Sequence, residues 1–477
     1  MTTLAARIGC ASRSRTVGAV VAVLAGGALP SCKAKERAIP PVSAGDPAAS
    51  APAPLAADAA APPRCVVSPG GLAVTSAEER RFLSVGDAVA VPGGFAVGLV
   101  RSFTGNIHAS IARVRGDLAS MTVVDLGPIA ADAPPPRPIL HDGVLYALAA
   151  LTAAPRGDGP AVSVTRARPD GGAPRRVTPL VLSRVGDAGA EALGAVQETA
   201  DESLGADALV GTGGALIAWD EDAPARDRGI IKVAHVTFGA PAAKKPETGT
   251  IVSPEGSDAE APRLAPRPGG AWLVWTARRP EPLSDAAIDD TRIEAPAERR
   301  VFQWIEIVAL DDHGAVAGAV RKLTPPTGHA GAFDLAPRPG GDLDVLVRDD
   351  DEASEGAGGA VRRLTVRGDA VEGPVTIAPD GVGRGTVDVI AGSDGEWLAY
   401  DDPTDHTRVV PLFGVHARAA PSVEPALDGA RLLVTLPPGG APDAPGVVSA
   451  GPDGGTASLV AVFPSADAQL RRVVCGR

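Results

Sequence analysis

The sequence predicts an all-β body built from a repeated four-stranded unit. Three observations carry this. Gly (57) and Pro (46) make up about a fifth of the 477 residues, which suits short elements joined by tight turns and opposes long helices. A hairpin pattern, apolar strand then glycine turn then apolar strand, recurs along the chain. Between these hairpins lie segments that alternate apolar with polar residues, the pattern of half-exposed strands.

The hairpin repeat is clearest in Arg263-Leu-Ala-Pro-Arg-Pro-Gly-Gly-Ala-Trp-Leu-Val-Trp275 and Phe333-Asp-Leu-Ala-Pro-Arg-Pro-Gly-Gly-Asp-Leu-Asp-Val-Leu-Val347, which share Ala-Pro-Arg-Pro-Gly-Gly. Looser copies centre on Gly94, Gly143, Gly214, Gly395 and Gly429, so the turn glycines fall at 94, 143, 214, 270, 341, 395 and 429. The alternating segments include Ile111–Asp117, Val301–Gly314 and Val361–Asp369. Two buried strands followed by two more exposed ones, repeated about seven times, is the plan of a β-propeller, in which radial packing buries faces that one unit alone leaves open. The short last interval leaves six or eight units as alternatives. Over residues 65–477 the chain resembles the β-propeller superfamily broadly. It has no regular Trp-Asp ending and no kelch glycine pair, and Ser393-Asp-Gly-Glu-Trp397 only faintly resembles the Asp box of sialidases.

At the N-terminus, Arg7, Arg13 and Arg15 precede the apolar run Thr16–Leu29, whose fourteen residues are too few to span a bilayer and match a signal-peptide core. The run ends in Leu29-Pro30-Ser31-Cys32, which resembles the lipobox of bacterial lipoproteins, apart from Pro30 where small or β-branched residues are usual. The resemblance implies cleavage after Ser31, diacylglycerol on the Cys32 thiol, and retention at the cell envelope; Lys33 in the next position points to the outer membrane. Secretion after a cut near Ala28, or an uncleaved anchor, is the alternative. Residues 32–64 are rich in Ala and Pro and bury too little to fold, so they read as a tether. The domain plan is therefore 1–31 signal, 32–64 tether and 65–477 body.

Of the four cysteines, Cys10 leaves with the signal and Cys32 carries lipid. Cys65 and Cys475 bracket the body, and an exported compartment permits a disulfide between them, two free thiols being the other reading. A propeller brings its first and last strands together, which such a bridge needs.

The formal charge is −12, near −15 once the first 31 residues are removed, and the chain has no basic run. This opposes binding to nucleic acid or to anionic lipid by charge. The seven histidines show no metal-ligand spacing, and neither a P-loop nor a GxSxG motif is present. Tyr146 and Tyr400, the only tyrosines, fall in apparent core strands. No catalytic residue and no cofactor are expected. Acids close the second strand of several repeats: Asp220 and Asp222, then Asp349, Asp350 and Asp351, then Asp401 and Asp402. Loops of this kind share one face of a propeller, so these residues form a candidate acidic face for a divalent cation such as calcium or a basic partner, or simply a solvated surface. The function expected from sequence is a membrane-tethered binding or scaffold module with a protein or envelope partner. The alternative is an extracytoplasmic, glycosidase-like hydrolase on the same scaffold. Arginines, carboxylates and tyrosines converging in the central funnel favour the enzyme; a wide acidic rim favours binding.

Overall fold

The computed structural model describes residues 65–476 except 75–83, 104–105, 131–132, 157–158, 164, 167–174, 177–178, 197–204, 212, 224–227, 239–248, 281–300, 351–358, 379–386, 393–394, 402–406, 412–421, 424–430, 437–455 and 463–468. Cys32, the tether, Asp351 and Asp402 lie outside the described residues, as do the side chains of Asp350 and Asp401.

After β1 (Cys65–Ala73), the first sheet comprises β2 (Ser84–Val91), β3 (Gly94–Phe103), β4 (Asn106–Arg115) and β5 (Met121–Pro128). The second begins with β6 (Arg137–His141) and β7 (Val144–Ala150), is interrupted by the short strands β8 (Ala153–Arg156), β9 (Gly159–Ser163), β10 (Thr165–Arg166) and β11 (Arg175–Arg176), and resumes with β12 (Leu180–Val185) and β13 (Ala190–Ala195). The third holds β14 (Ala206–Val210), β15 (Gly214–Asp222), β16 (Gly229–Thr237) and β17 (Thr250–Ile251), and the fourth β18 (Asp258–Arg267), β19 (Gly270–Pro280), β20 (Val301–Asp311) and β21 (Arg321–Lys322). The fifth holds β22 (His329–Pro337), β23 (Leu343–Asp350), β24 (Ala360–Arg367) and β25 (Ala370–Ala378). The sixth holds β26 (Val387–Gly392), β27 (Gly395–Asp401), β28 (Thr407–Pro411) and β29 (Ser422–Val423). Last come β30 (Arg431–Leu436), β31 (Thr456–Val462) and β32 (Gln469–Gly476), against which β1 pairs as the outermost strand.

Within each sheet the strands meet antiparallel in chain order, and the fourth and fifth sheets are linked by one parallel residue pair, Gln303 with His329. The innermost strands close a circle: β2 packs on β6, β6 on β14, β14 on β18, β18 on β22, β22 on β26, β26 on β30, and β30 back on β2. The body is a β-propeller.

The core is correspondingly divided into apolar layers between neighbouring sheets. Ile111, Leu145 and Val181 fill the layer between the first and second; Ile217, Trp219 and Leu182 fill the next; Trp275, Ile231 and Leu273 the one after. Among the described residues the first five sheets are therefore covered on both faces. This is why β20, expected to alternate, is buried almost continuously from Trp304 to Val308, while β24 keeps a partly exposed alternation. Glycine turns start the second strands as the repeat predicts, with Gly93, Gly143, Gly269 and Gly340 at positive φ (78°, 76°, 74° and 87°), a region costly for residues with a Cβ.

One expected hairpin is displaced. Asp428-Gly429 lies outside the described residues, and Arg431–Leu436, read as a second strand, is the innermost strand of its sheet, paired with β31. The physical reason is ring closure, since the last sheet takes its fourth strand from the N-terminus. In that closure Cys65 stands opposite Cys475 in the β1–β32 register, and Cys65 is disulfide-bonded.

Candidate functional site

The innermost strands bring together a set of charged side chains that apolar strand positions would not otherwise hold. They are Asp87 on β2, Arg137 on β6, Asp207 on β14, Arg263 on β18, Asp334 on β22 and Asp388 on β26. Each stands seven residues ahead of the residue that follows the hairpin turn, namely Gly94, Val144, Gly214, Gly270, Gly341 and Gly395. Equal spacing from equivalent turns sets them at one level of the channel.

The contacts run round and across this level. Arg137 Nη1 donates to Asp87 at 3.0 Å and Arg137 Nε to Asp207 at 2.7 Å, tying the first three sheets. Arg263 Nη1 lies 3.8 Å from Asp87, linking the fourth sheet to the first. Asp207, only 1% exposed, also accepts the Ala208 N–H at 2.6 Å and the Leu264 N–H at 2.7 Å. Asp334 repeats that arrangement one turn of the pattern later, accepting the N–H groups of Leu335 and Val389, each at 2.8 Å. In both cases the second donor is the residue just after the charged residue of the next sheet. Between the first and second sheets the corresponding residue is Pro138, which has no N–H. Asp87 therefore faces the arginines instead, with 39% of its side chain exposed.

Electrostatics follow from this crowding. Burial opposes the charge of Arg263, but Asp87, Asp207, Asp334 and Asp388 outweigh it and hold its guanidinium still more firmly protonated than usual. Desolvation raises the Asp334 carboxyl to about 6, with Asp388 adding to the rise and Arg263 and the two backbone N–H groups opposing it. The Asp334 side chain is largely enclosed by its neighbours, which is why desolvation prevails over Arg263 and the two N–H groups.

That shift makes a stability prediction. Between pH 4 and 6 folded Asp334 holds a proton that the unfolded chain has released, so its stabilising contribution is complete below pH 4 and lost as pH rises through 6. Relative to wild type, Asp334→Asn should therefore melt progressively higher as pH is raised from 4 to 7. A constant difference across that range would contradict the assignment.

The acidic face expected from sequence is put to other uses where its side chains are described. Asp220 accepts the N–H groups of Gly205 at 2.8 Å and Ala261 at 2.9 Å, which staples the third sheet to the fourth. Asp349 pairs with Arg362 at 2.7 Å, and Asp222 is half-buried at the end of β15. Among the described residues no group of three His, Cys, Asp or Glu side chains is placed to hold a metal ion. Tyr146 and Tyr400 are buried in apolar layers, on second strands rather than on the innermost ones that carry the ring. Sequence reasoning passed over the ring itself, although the column seven residues ahead of the turn reads Asp, Arg, Asp, Arg, Asp, Asp in six successive repeats.

No family model matches the chain, and no curated protein matches it in sequence. Among solved structures it is similar to an α-L-arabinanase of Penicillium chrysogenum complexed with arabinobiose (11% identity, 72% of this chain and 94% of that one, TM-score 0.41). It is also similar to a GH93 α-L-arabinofuranosidase of Fusarium graminearum (10%, 72% and 97%, TM-score 0.40) and to a PL25 ulvan lyase (8%, 82% and 93%, TM-score 0.45). At such identity and overlap these likenesses say nothing about the reaction of this chain.

Proposed function

We propose that this is an exported, lipid-tethered hydrolase of glycosidic bonds whose site is the charged ring of the propeller channel. The observation that carries the reading is the convergence of four carboxylates and two arginines from six sheets at one level, with one carboxyl raised to about 6. Glycoside hydrolysis needs two carboxyl groups in different protonation states, one to protonate the leaving oxygen and one to act as base or nucleophile. Asp334 suits the acid, because it keeps its proton up to about pH 6, where an ordinary carboxyl has lost it. Asp87 suits the anion, since Arg137 and Arg263 stand against it and it is open to the channel. Arg263 lies within the field of both and would stabilise charge as the proton moves. Both tyrosines are buried on second strands, which speaks for a carboxylate rather than a phenol as nucleophile.

On this reading Cys32 is lipidated and residues 32–64 hold the enzyme off the membrane, within reach of envelope or external glycans. The test is reducing-end release from a panel of plant and bacterial polysaccharides. Wild type should act on at least one, and Asp334→Asn should lower kcat by about 10²–10⁴-fold, the usual share of general-acid catalysis. It should also remove a limb near pH 6 from the rate profile. Activity unchanged in the variant would overturn the role given to Asp334.

A binding module is the second reading. It is favoured by the backbone N–H groups that Asp207 and Asp334 already accept, which give both a share in holding the sheets together. Under it, oligosaccharides bind without turnover.

A further inference from the structure

A second charged feature lies toward the other end of the fourth sheet, where two arginines meet one tryptophan while Asp311, at the same level, is engaged by the N–H groups of His313 and Ala315. Arg267 ends β18 and Arg321 opens β21, and both guanidiniums lie over the indole of Trp272 on β19, at 4.8 and 5.4 Å from its centroid. The register puts all three on one face. Trp272 stands opposite Ala265 and Ala309; Arg267 is two residues beyond Ala265, and Arg321 is opposite Ile307, two residues from Ala309. That face packs on the fifth sheet: Trp272 shares a layer with Phe333, Leu343 and Val345, and its indole N–H donates to the Gly341 carbonyl at 2.9 Å. The two arginines thus frame a slot between the fourth and fifth sheets, four residues along β18 from the charged ring, on the order of 13 Å.

Neither arginine has a carboxylate partner among the described residues, although the chain is strongly acidic. Nη1 of Arg267 and Nη1 of Arg321 are both enclosed and have no acceptor. An enclosed cationic N–H without an acceptor is strongly disfavoured. A cation–π contact uses no N–H donor, so the Nη1 groups remain to grip carboxylate, sulfate or phosphate oxygens.

We propose that Arg267 and Arg321 form a binding slot for a single oxyanion, distinct from the channel site. Its ligand is an inorganic anion or the acidic group of a carboxylated or sulfated glycan, both presenting the same oxygens to the same two edges.

The test is a titration of the full chain with sodium sulfate, phosphate, acetate or glucuronate at up to about 10 mM, against sodium chloride of equal ionic strength. Such concentrations are too low for the general stabilisation by excluded salts. Tryptophan emission and melting temperature are followed together. Wild type should respond saturably to at least one of the four, and Arg321→Gln and Arg267→Gln should each raise the half-saturation concentration at least tenfold. Arg321→Lys, which keeps the charge and loses the fork, should fall between and guards against loss of fold. Arg115→Gln, removing an exposed arginine paired with Asp117, should bind as wild type does. Preference for glucuronate over acetate points to a glycan, and preference for sulfate or phosphate to an inorganic anion. A flat wild-type response, or equal responses in the glutamine variants, would mean that water alone serves these N–H groups and would overturn the proposal.

Discussion

Replacing Asp207 with alanine should destabilise the propeller by about 3–5 kcal/mol, the range for removing one partner of a buried ion pair. The carboxylate is 1% exposed and is met by Arg137 from the second sheet, Ala208 from its own and Leu264 from the fourth. Its loss leaves Arg137 with Asp87 alone and strands the Arg137 Nε–H and two strand N–H groups at once. With unfolding entropy of roughly 2 cal/mol/K per residue, a body of about 410 residues should melt about 4–6 °C lower. Asp207→Asn should fall between, because an amide accepts through one oxygen but turns an NH₂ toward the remaining donors. Differential scanning calorimetry of the three proteins checks this, and an alanine variant that melts with wild type would remove Asp207 from the account.

Opening the disulfide at Cys65 should have the larger effect. Cys65 is disulfide-bonded and sits opposite Cys475 where β1 completes the last sheet, so a bridge between these two would close a loop that spans the whole ring. On the chain-entropy model, a loop of about 410 residues limits the unfolded chain by about 6 kcal/mol, an upper figure because measured effects usually fall short. Either Cys65→Ser or treatment of wild type with dithiothreitol should lower the melting temperature by several degrees, and the two should not add. The same treatment should leave the melting of Cys65→Ser unmoved. A wild type indifferent to reduction would show that the strand pairing alone holds the ring closed.

Much of this fold could be read from residues, because glycine turns have a stereochemical cause that survives in sequence. Five of the seven predicted turn glycines open or directly precede the second strands, and Gly341 stands two residues ahead of β23. The seventh failed because closure is a long-range event: nothing local to Arg431–Leu436 says that Cys65–Ala73, more than 350 residues earlier, supplies the outer strand. The continuous burial of β20 was hidden for a similar reason, since its second covering sheet comes from a separate repeat. The candidate site was legible and was passed over. Attention went to runs of acids such as Asp349-Asp350-Asp351, whereas the ring is made of single charges, each isolated in an apolar strand and meaningful only when the repeats are aligned on their turns. What no alignment supplies is the division of labour among those charges. Asp207 and Asp334 accept backbone N–H groups of the next sheet, while Asp87 is turned to the arginines because Pro138 has none to give.

That division makes Asp87 the sharpest probe of where function resides. The measurement is oligosaccharide turnover and binding by the full chain, comparing wild type with Asp87→Asn in the channel and Asp349→Asn on the acidic face, at matched melting temperature. A working site in the ring predicts at least a hundredfold loss of turnover in Asp87→Asn and wild-type behaviour in Asp349→Asn. Loss in Asp349→Asn with Asp87→Asn unaffected would place function on the outer loops and contradict the channel as the site.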